Sequence, residues 1–151
     1  MYRKGVSVLI INANQEFLLV NLESFETKFF AIPGGGVDKD ETLEEAAYRE
    51  VQEELGIKKE SLEFIGQAEE PVRLLFKTKK LVRDGVEYDG MERFFFGFRF
   101  IGDESEIVLQ EGEIRSYKWV PINSLNDYLL FDNQLEDTSA KIKEIFYSIK
   151  K

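Results

Sequence analysis

GGVDKDETLEEAAYREVQEELGI, residues 35–57, opens in glycines, ends on Gly56-Ile57 and carries eight acidic side chains against two basic ones. Its interior reads as a helix. Thr42-Leu43-Glu44-Glu45 fits a capping box, in which Thr42 caps the start and Glu45 reaches back to it. Gly56 is the expected residue just past the end. The helix is therefore predicted over Leu43–Leu55. With Glu50 set at zero on a wheel of about 100° per residue, Glu54 falls at about 40° and Glu53 at about 300°. Leu43, Ala46, Ala47, Val51 and Leu55 fall at about 20°, 320°, 60°, 100° and 140°, so the three glutamates overlap the edge of the apolar stripe. An ordinary solvated face would lie opposite that stripe; Glu45, at about 220°, fits that description better. The C-terminal half of a helix also disfavours acids, and Glu50 and Glu54 form a like-charge i,i+4 pair. A hard divalent cation would compensate such a cluster, because Mg²⁺ takes oxygen ligands and commonly shares them with substrate phosphates. Arg49, at about 260°, flanks the cluster. An ion pair is its expected use, with Glu41 as the candidate partner. The glycines ahead of the helix are expected to bring backbone close to a ligand or to offer it a carbonyl; the plainer alternative is a connecting turn.

The rest of the chain bounds the chemistry. Its 151 residues are about one domain's worth, and a single domain over residues 1–151 is expected. Cysteine and histidine are both absent. Disulfides, thiolate metal sites and histidine-based triads are thereby excluded, and acid-base work falls to carboxylates, lysine or tyrosine. The net charge of −9 repels nucleic acid and anionic membrane at long range. A phosphate substrate would need a cation between itself and this surface. No apolar run reaches membrane-spanning length, and the first residues lack a signal-peptide pattern. A cytoplasmic location without membrane association is expected.

Periodicity places the remaining elements. VSVLIIN (6–12) and EFLLVNL (16–22), separated around Asn14, read as a strand pair. FFAIPGGG (29–36) reads as a strand end followed by a loop. SLEFIGQA (61–68), VRLLFK (72–77) and SYKWVP (116–121) are further strand candidates. RFFFGFRF (93–100) sends Phe94, Phe96, Phe98 and Phe100 to one face, which is predicted to be core. SAKIKEIFYSIK (139–150) reads as an amphipathic helix through Ile142, Ile145, Phe146 and Ile149. The expected fold is α+β, a mixed sheet with helices packed on it.

The opening stretch resembles the Nudix hydrolase box, G-x5-E-x7-R-E-U-x-E-E-x-G-U with U aliphatic. Gly35, Glu41, Arg49, Glu50, Val51, Glu53, Glu54, Gly56 and Ile57 match every fixed position. The resemblance implies the Nudix fold, an α/β/α sandwich, and hydrolysis of a nucleoside diphosphate linked to another group. It implies Mg²⁺ or Mn²⁺ held by Glu50, Glu53 and Glu54 with the Gly34 carbonyl. Glu53 would be the base for the attacking water, and Arg49 and Glu41 would orient the cluster. Outside the box, YRKGVSVLIINA, YDGMERFFFGFRFIGDESEI (88–107) and GEIRSYKWVP (112–121) are similar to the branch that hydrolyses dinucleoside polyphosphates and trims pyrophosphate from RNA 5′ ends. From that branch Glu113 carries over as a further metal ligand or alternative base. The chain departs from the branch at FAIPGGG, where Phe30 replaces a tryptophan and Gly34 a glutamine, and at the acidic FDNQLEDT (131–138). These departures count against long RNA more than against a small dinucleotide. A dinucleoside polyphosphate such as diadenosine tetraphosphate is the preferred substrate class. The alternatives are a nucleoside triphosphate or RNA 5′ pyrophosphohydrolase, and a non-catalytic nucleotide sensor. Arg93 is a candidate phosphate contact, and Phe30 and Tyr128, or Phe131, are candidates to stack on a base. The expected assembly is a monomer or homodimer.

Overall fold

Alternation along the strands organises the molecule, because both faces of its sheet are covered. The computed structural model describes residues 1–76, 81–83 (backbone alone) and 85–147. In chain order the elements are β1 (Tyr2–Ile11), β2 (Glu16–Leu22), β3 (Gly34–Gly36), α1 (Leu43–Leu55), β4 (Leu62–Gln67), β5 (Val72–Leu75), β6 (Leu81–Arg83), β7 (Val86–Tyr88), β8 (Gly90–Phe100), β9 (Ile114–Pro121) and α2 (Gln134–Phe146). Seven strands form one mixed sheet in the order β4-β8-β1-β2-β9. Its centre is the parallel pair β1/β8, in register from Tyr2↔Gly90 to Ile11↔Arg99. β5 and β4 pair successive halves of β8. β3 pairs with the middle of β1, Gly5–Ser7, while β2 meets β1 at its far end, Ile11↔Phe17. β6 and β7 form a separate hairpin. No described helix is long and apolar enough to cross a membrane.

Val6, Val8 and Ile10 of β1 pack with Phe96 and Phe98 against Ala46, Ala47, Val51 and Leu55 of α1. Leu9, Ile11 and Phe95 point the other way, toward Ile142 of α2 and toward Leu125 and Leu129 in the segment ahead of it. Burial on two faces explains why β1 reads as a nearly continuous apolar run rather than as a strict alternation. The arrangement is the α/β/α sandwich.

Several local expectations are refined. α1 spans Leu43–Leu55 as predicted, with both capping-box bonds present and Gly56 in the left-handed region at φ 70°. The expected single core face of β8 is one of two. Phe95 is buried on the opposite face, where Gly97 leaves room for α2: a Cβ there would lie 2.5 Å from Ile145 Cγ2. The loop expected at 33–36 contributes a short strand. α2 begins at Gln134, before the predicted Ser139. Its start lacks a side-chain cap; Asn133 turns the chain at φ 64° and the Gln134 amide oxygen accepts from the Phe131 N–H at 3.1 Å. Ile149, counted on its apolar face, lies outside the described residues. The turn between β1 and β2 is held by Asn12 rather than Asn14, since Asn12 Oδ1 accepts from the N–H groups of Asn14 and Glu16.

Candidate active site

The helix and the glycine strand are pressed together, and the glutamates lie in the seam. β3 runs beside β1, and α1 packs over both. A Cβ on Gly35 would sit 2.2 Å from Glu50 Oε2, so only glycine lets the strand lie against this carboxylate. Glu54 reaches the same strand, where its Oε1 accepts from the Gly34 N–H at 3.3 Å.

The three glutamates are not equivalent. The Glu50 side chain is 13% exposed and that of Glu53 is 49%. Burial pushes Glu54 up to about 8, and the neighbouring charge of Glu50 adds to the rise. Burial also raises Glu50, although Arg49 opposes the shift. Two poorly solvated carboxylates that repel each other form a hard-oxygen donor set suited to a divalent cation. Glu53 turns outward to Arg49 Nη1 at 3.2 Å. Among the described residues no three acids converge closely enough to cage an ion by themselves. Any ion here would rest on Glu50 and Glu54 and draw its remaining ligands from Glu53, backbone, water or substrate. On that basis the donor chemistry fits Mg²⁺, which commonly keeps several waters.

Arg49 is the organiser of the seam. Its Nε donates to Glu41 Oε2 at 2.6 Å and its Nη2 to Glu41 Oε1 at 2.9 Å, so the ion pair expected from sequence is present and is bidentate. Nη2 also donates to the Gly36 carbonyl at 2.8 Å, and Nη1 lies 3.3 Å from Glu50 Oε2. The Arg49 bond holds Glu41 below the usual carboxylate range, and Glu41 in turn holds Arg49 above the ordinary guanidinium value. One side chain thus joins the loop before α1, the glycine strand and two of the three glutamates.

Arg93 continues the site through the sheet. Its Nε donates to Ser7 Oγ and its Nη2 to the Val6 carbonyl, both at 3.1 Å. A Cβ on Gly34 would come within 3.0 Å of Nη2. Desolvation lowers the Arg93 pKa, while Glu54 and Glu50 oppose that shift. Arg93 also lines a cavity of about 240 Å³ bounded by Ile32, Val72, Phe95 and the start of α2.

The other candidates separate. Phe30 is buried in the α2-side core, edge-on to Tyr128 at 5.3 Å between centroids, and does not line the cavity. Tyr128 is partly buried, with Lys118 Nζ 5.7 Å from its ring centroid. Phe131, 41% exposed, does line the cavity. Glu113 has an exposed side chain with no described partner, while its backbone closes the turn before β9. The segment leading to it docks on the end of α1, where Val108 and Gln110 N–H groups donate to the Leu55 and Glu54 carbonyls. Sequence reasoning missed Ser7 and Asp137. Ser7 left a signal, as the lone polar residue within VSVLII; Asp137 left none, because nothing local distinguishes it from its acidic neighbours.

The NUDIX domain model matches residues 1–142, the site included. The chain belongs to the NUDIX family. It is 32% identical to an RNA pyrophosphohydrolase of Pelagibacter ubique (strain HTCC1062), over 95% of this chain and 92% of that one. The Nudix fold is shared with the E. coli dihydroneopterin triphosphate pyrophosphohydrolase at TM-score 0.72 and 19% identity, covering 98% of this chain and 99% of that one. The C. elegans Ap4A hydrolase in a binary complex aligns at TM-score 0.69 and 20% identity, over 97% of this chain and 99% of that one. This Nudix protein is a pyrophosphohydrolase.

Proposed function

We propose that this Nudix enzyme hydrolyses a pyrophosphate linkage in a small nucleotide, with dinucleoside polyphosphates as the preferred class. The carrying observation is the continuity from Glu50 and Glu54, past Gly34 and Arg93, into a cavity of about 240 Å³. A polyphosphate would lie along the carboxylates and Arg93, and one base would enter the cavity. Glu50, Glu53 and Glu54 would hold Mg²⁺ or Mn²⁺, with the Gly34 carbonyl and Glu113 as further donors. The ion supplies positive charge to the phosphate oxygens. Glu53, the most exposed of the three, takes the proton of the attacking water. Arg49 and Glu41 keep Glu50 and Glu53 in place, and the Arg93 guanidinium donates to phosphate. The acids Asp132 and Asp137 beside the cavity disfavour a trailing phosphodiester chain.

A second reading, RNA 5′ pyrophosphohydrolase, is favoured by the names of the sequence relatives and by a separate hollow in which Arg3, Lys4 and Lys39 outnumber the one acid, Asp38. A panel of dinucleoside polyphosphates, nucleoside triphosphates and 5′-triphosphorylated RNA, each incubated with Mg²⁺ and resolved by product, tests the choice. Faster cleavage of dinucleotides is expected. Exclusive attack on RNA or on mononucleotide triphosphates would overturn the preference.

A further inference from the structure

The cavity beside Arg93 has a chemical polarity that selects among bases. Its walls are apolar, with Ile32, Val72, Leu74, Phe95 and Phe131 suited to the faces of a flat ring. Most of its polar groups are already engaged. Ser7 Oγ accepts from Arg93. Gln134 is used at both ends, its Nε2 donating to the Phe30 carbonyl at 2.8 Å and its Oε1 accepting from the Phe131 N–H at 3.1 Å. Asp137, half-buried in the first turn of α2, has no side-chain partner among the described residues. Asp132 lines the same cavity. The cavity is therefore lined by the Arg93 guanidinium and by a carboxylate, Asp137, whose acceptor capacity is unused among the described residues.

A carboxylate accepts hydrogen bonds and donates none. Two adjacent N–H donors on one ring edge satisfy its two oxygens together. Guanine offers such an edge, the N1–H beside the 2-amino group. Adenine sets an acceptor, N1, beside its amino group, and cytosine does the same with N3. Either would bring a lone pair against the carboxylate. We propose that Asp137 reads the N1–H and 2-amino edge of a guanine-type base, so that this cavity selects guanosine over adenosine nucleotides. Such an edge binds by charge-assisted bonds, whereas the wrong base leaves buried polar groups unpaired. This deepens the proposed function, since it rests on the cavity serving the same site. For a dinucleoside polyphosphate it places guanosine rather than adenosine in the cavity.

The test is equilibrium binding of nucleoside monophosphates, which contain no pyrophosphate to cleave. Guanosine, inosine and adenosine 5′-monophosphates are titrated into the protein with Mg²⁺ present, by calorimetry. Guanosine monophosphate is expected to bind at least about tenfold more tightly than adenosine monophosphate, with inosine, which lacks the 2-amino group, between them. Asp137→Asn keeps the size of the side chain and replaces one acceptor oxygen by a donor. It should weaken guanosine monophosphate about tenfold or more and leave adenosine monophosphate within about twofold, at an unchanged melting temperature. Equal affinity for the two nucleotides, no measurable binding of either, or selectivity that survives in Asp137→Asn would each overturn the proposal. Selective binding by a protein that cleaves nothing in the substrate panel would refute the proposed reaction and uphold the pocket.

Discussion

Arg49 grips Glu41 with two nitrogens, at 2.6 and 2.9 Å, and the same guanidinium reaches Gly36 O, Glu50 and Glu53. The geometry explains why an arginine stands here: a lysine has one nitrogen and cannot span these partners. Arg49→Lys is expected to keep the fold, because α1 is held by its apolar face, and to lose about a hundredfold in turnover through misplacement of the carboxylates. Turnover and melting temperature measured side by side check this. Near-wild-type turnover would remove Arg49 as the organiser.

Glu53 differs from Glu50 and Glu54 in exposure. Glu53→Gln removes the basic oxygen while keeping shape. Turnover is expected to fall by several orders of magnitude with little change in KM, the scale seen for key catalytic groups. Unaltered turnover would pass the role of base to Glu54 or Glu113.

Gly35 faces Glu50 so closely that a methyl group would displace the carboxylate. Gly35→Ala should therefore fold, since the obstructing atoms are the tip of a flexible side chain, and should bind Mg²⁺ at least about tenfold more weakly because a ligand has been moved. Calorimetric titration of Mg²⁺ into the two proteins decides the point, and equal affinity would count against Glu50 as a ligand.

The pH dependence of stability follows from Glu54, whose pKa rises from an ordinary 4.5 to about 8 on folding. The folded state keeps a proton that the unfolded chain releases. The associated stability is complete below about pH 4.5 and is lost as pH climbs to about 8. Without divalent ions the melting temperature of the wild type should fall across this window more steeply than that of Glu54→Gln. Added Mg²⁺ should raise it more at the alkaline end, because metal binding displaces the proton and stabilises the folded state. Identical slopes in the two proteins would contradict the assignment.

Ile142 is completely buried where α2 meets the sheet. Ile142→Ala is expected to cost about 2–5 kcal/mol of stability, the usual range for deletion of a buried aliphatic side chain. Chemical denaturation measures it. A cost near zero would mean that α2 packs more loosely than described.

Much of this was legible in the residues themselves. Thr42, Glu45 and Gly56 mark the bounds of α1 because caps are local chemistry. Glu50, Glu53 and Glu54 stand out because a helix wheel converts spacing into direction. The early start of α2 was not legible, since Asn133 and Gln134 begin it through backbone conformation and a side chain folded back onto Phe131. The split among the glutamates was hidden as well. The wheel places all three within about 100° of one another, whereas burial depends on β3, which pairing with β1 lays beside the helix.

The sequence by itself determined the helix, the acidic cluster and the family, because each depends on residues close together along the chain. Tertiary structure alone decided that Glu54 is buried beside Gly34 while Glu53 faces outward, that Arg93 reaches Ser7 across the β1/β8 pair, and that Asp137 meets the same cavity. Ser7, Arg93 and Asp137 are far apart in the chain. Only the parallel register of β1 with β8, and the packing of α2 on their shared face, bring them to one place.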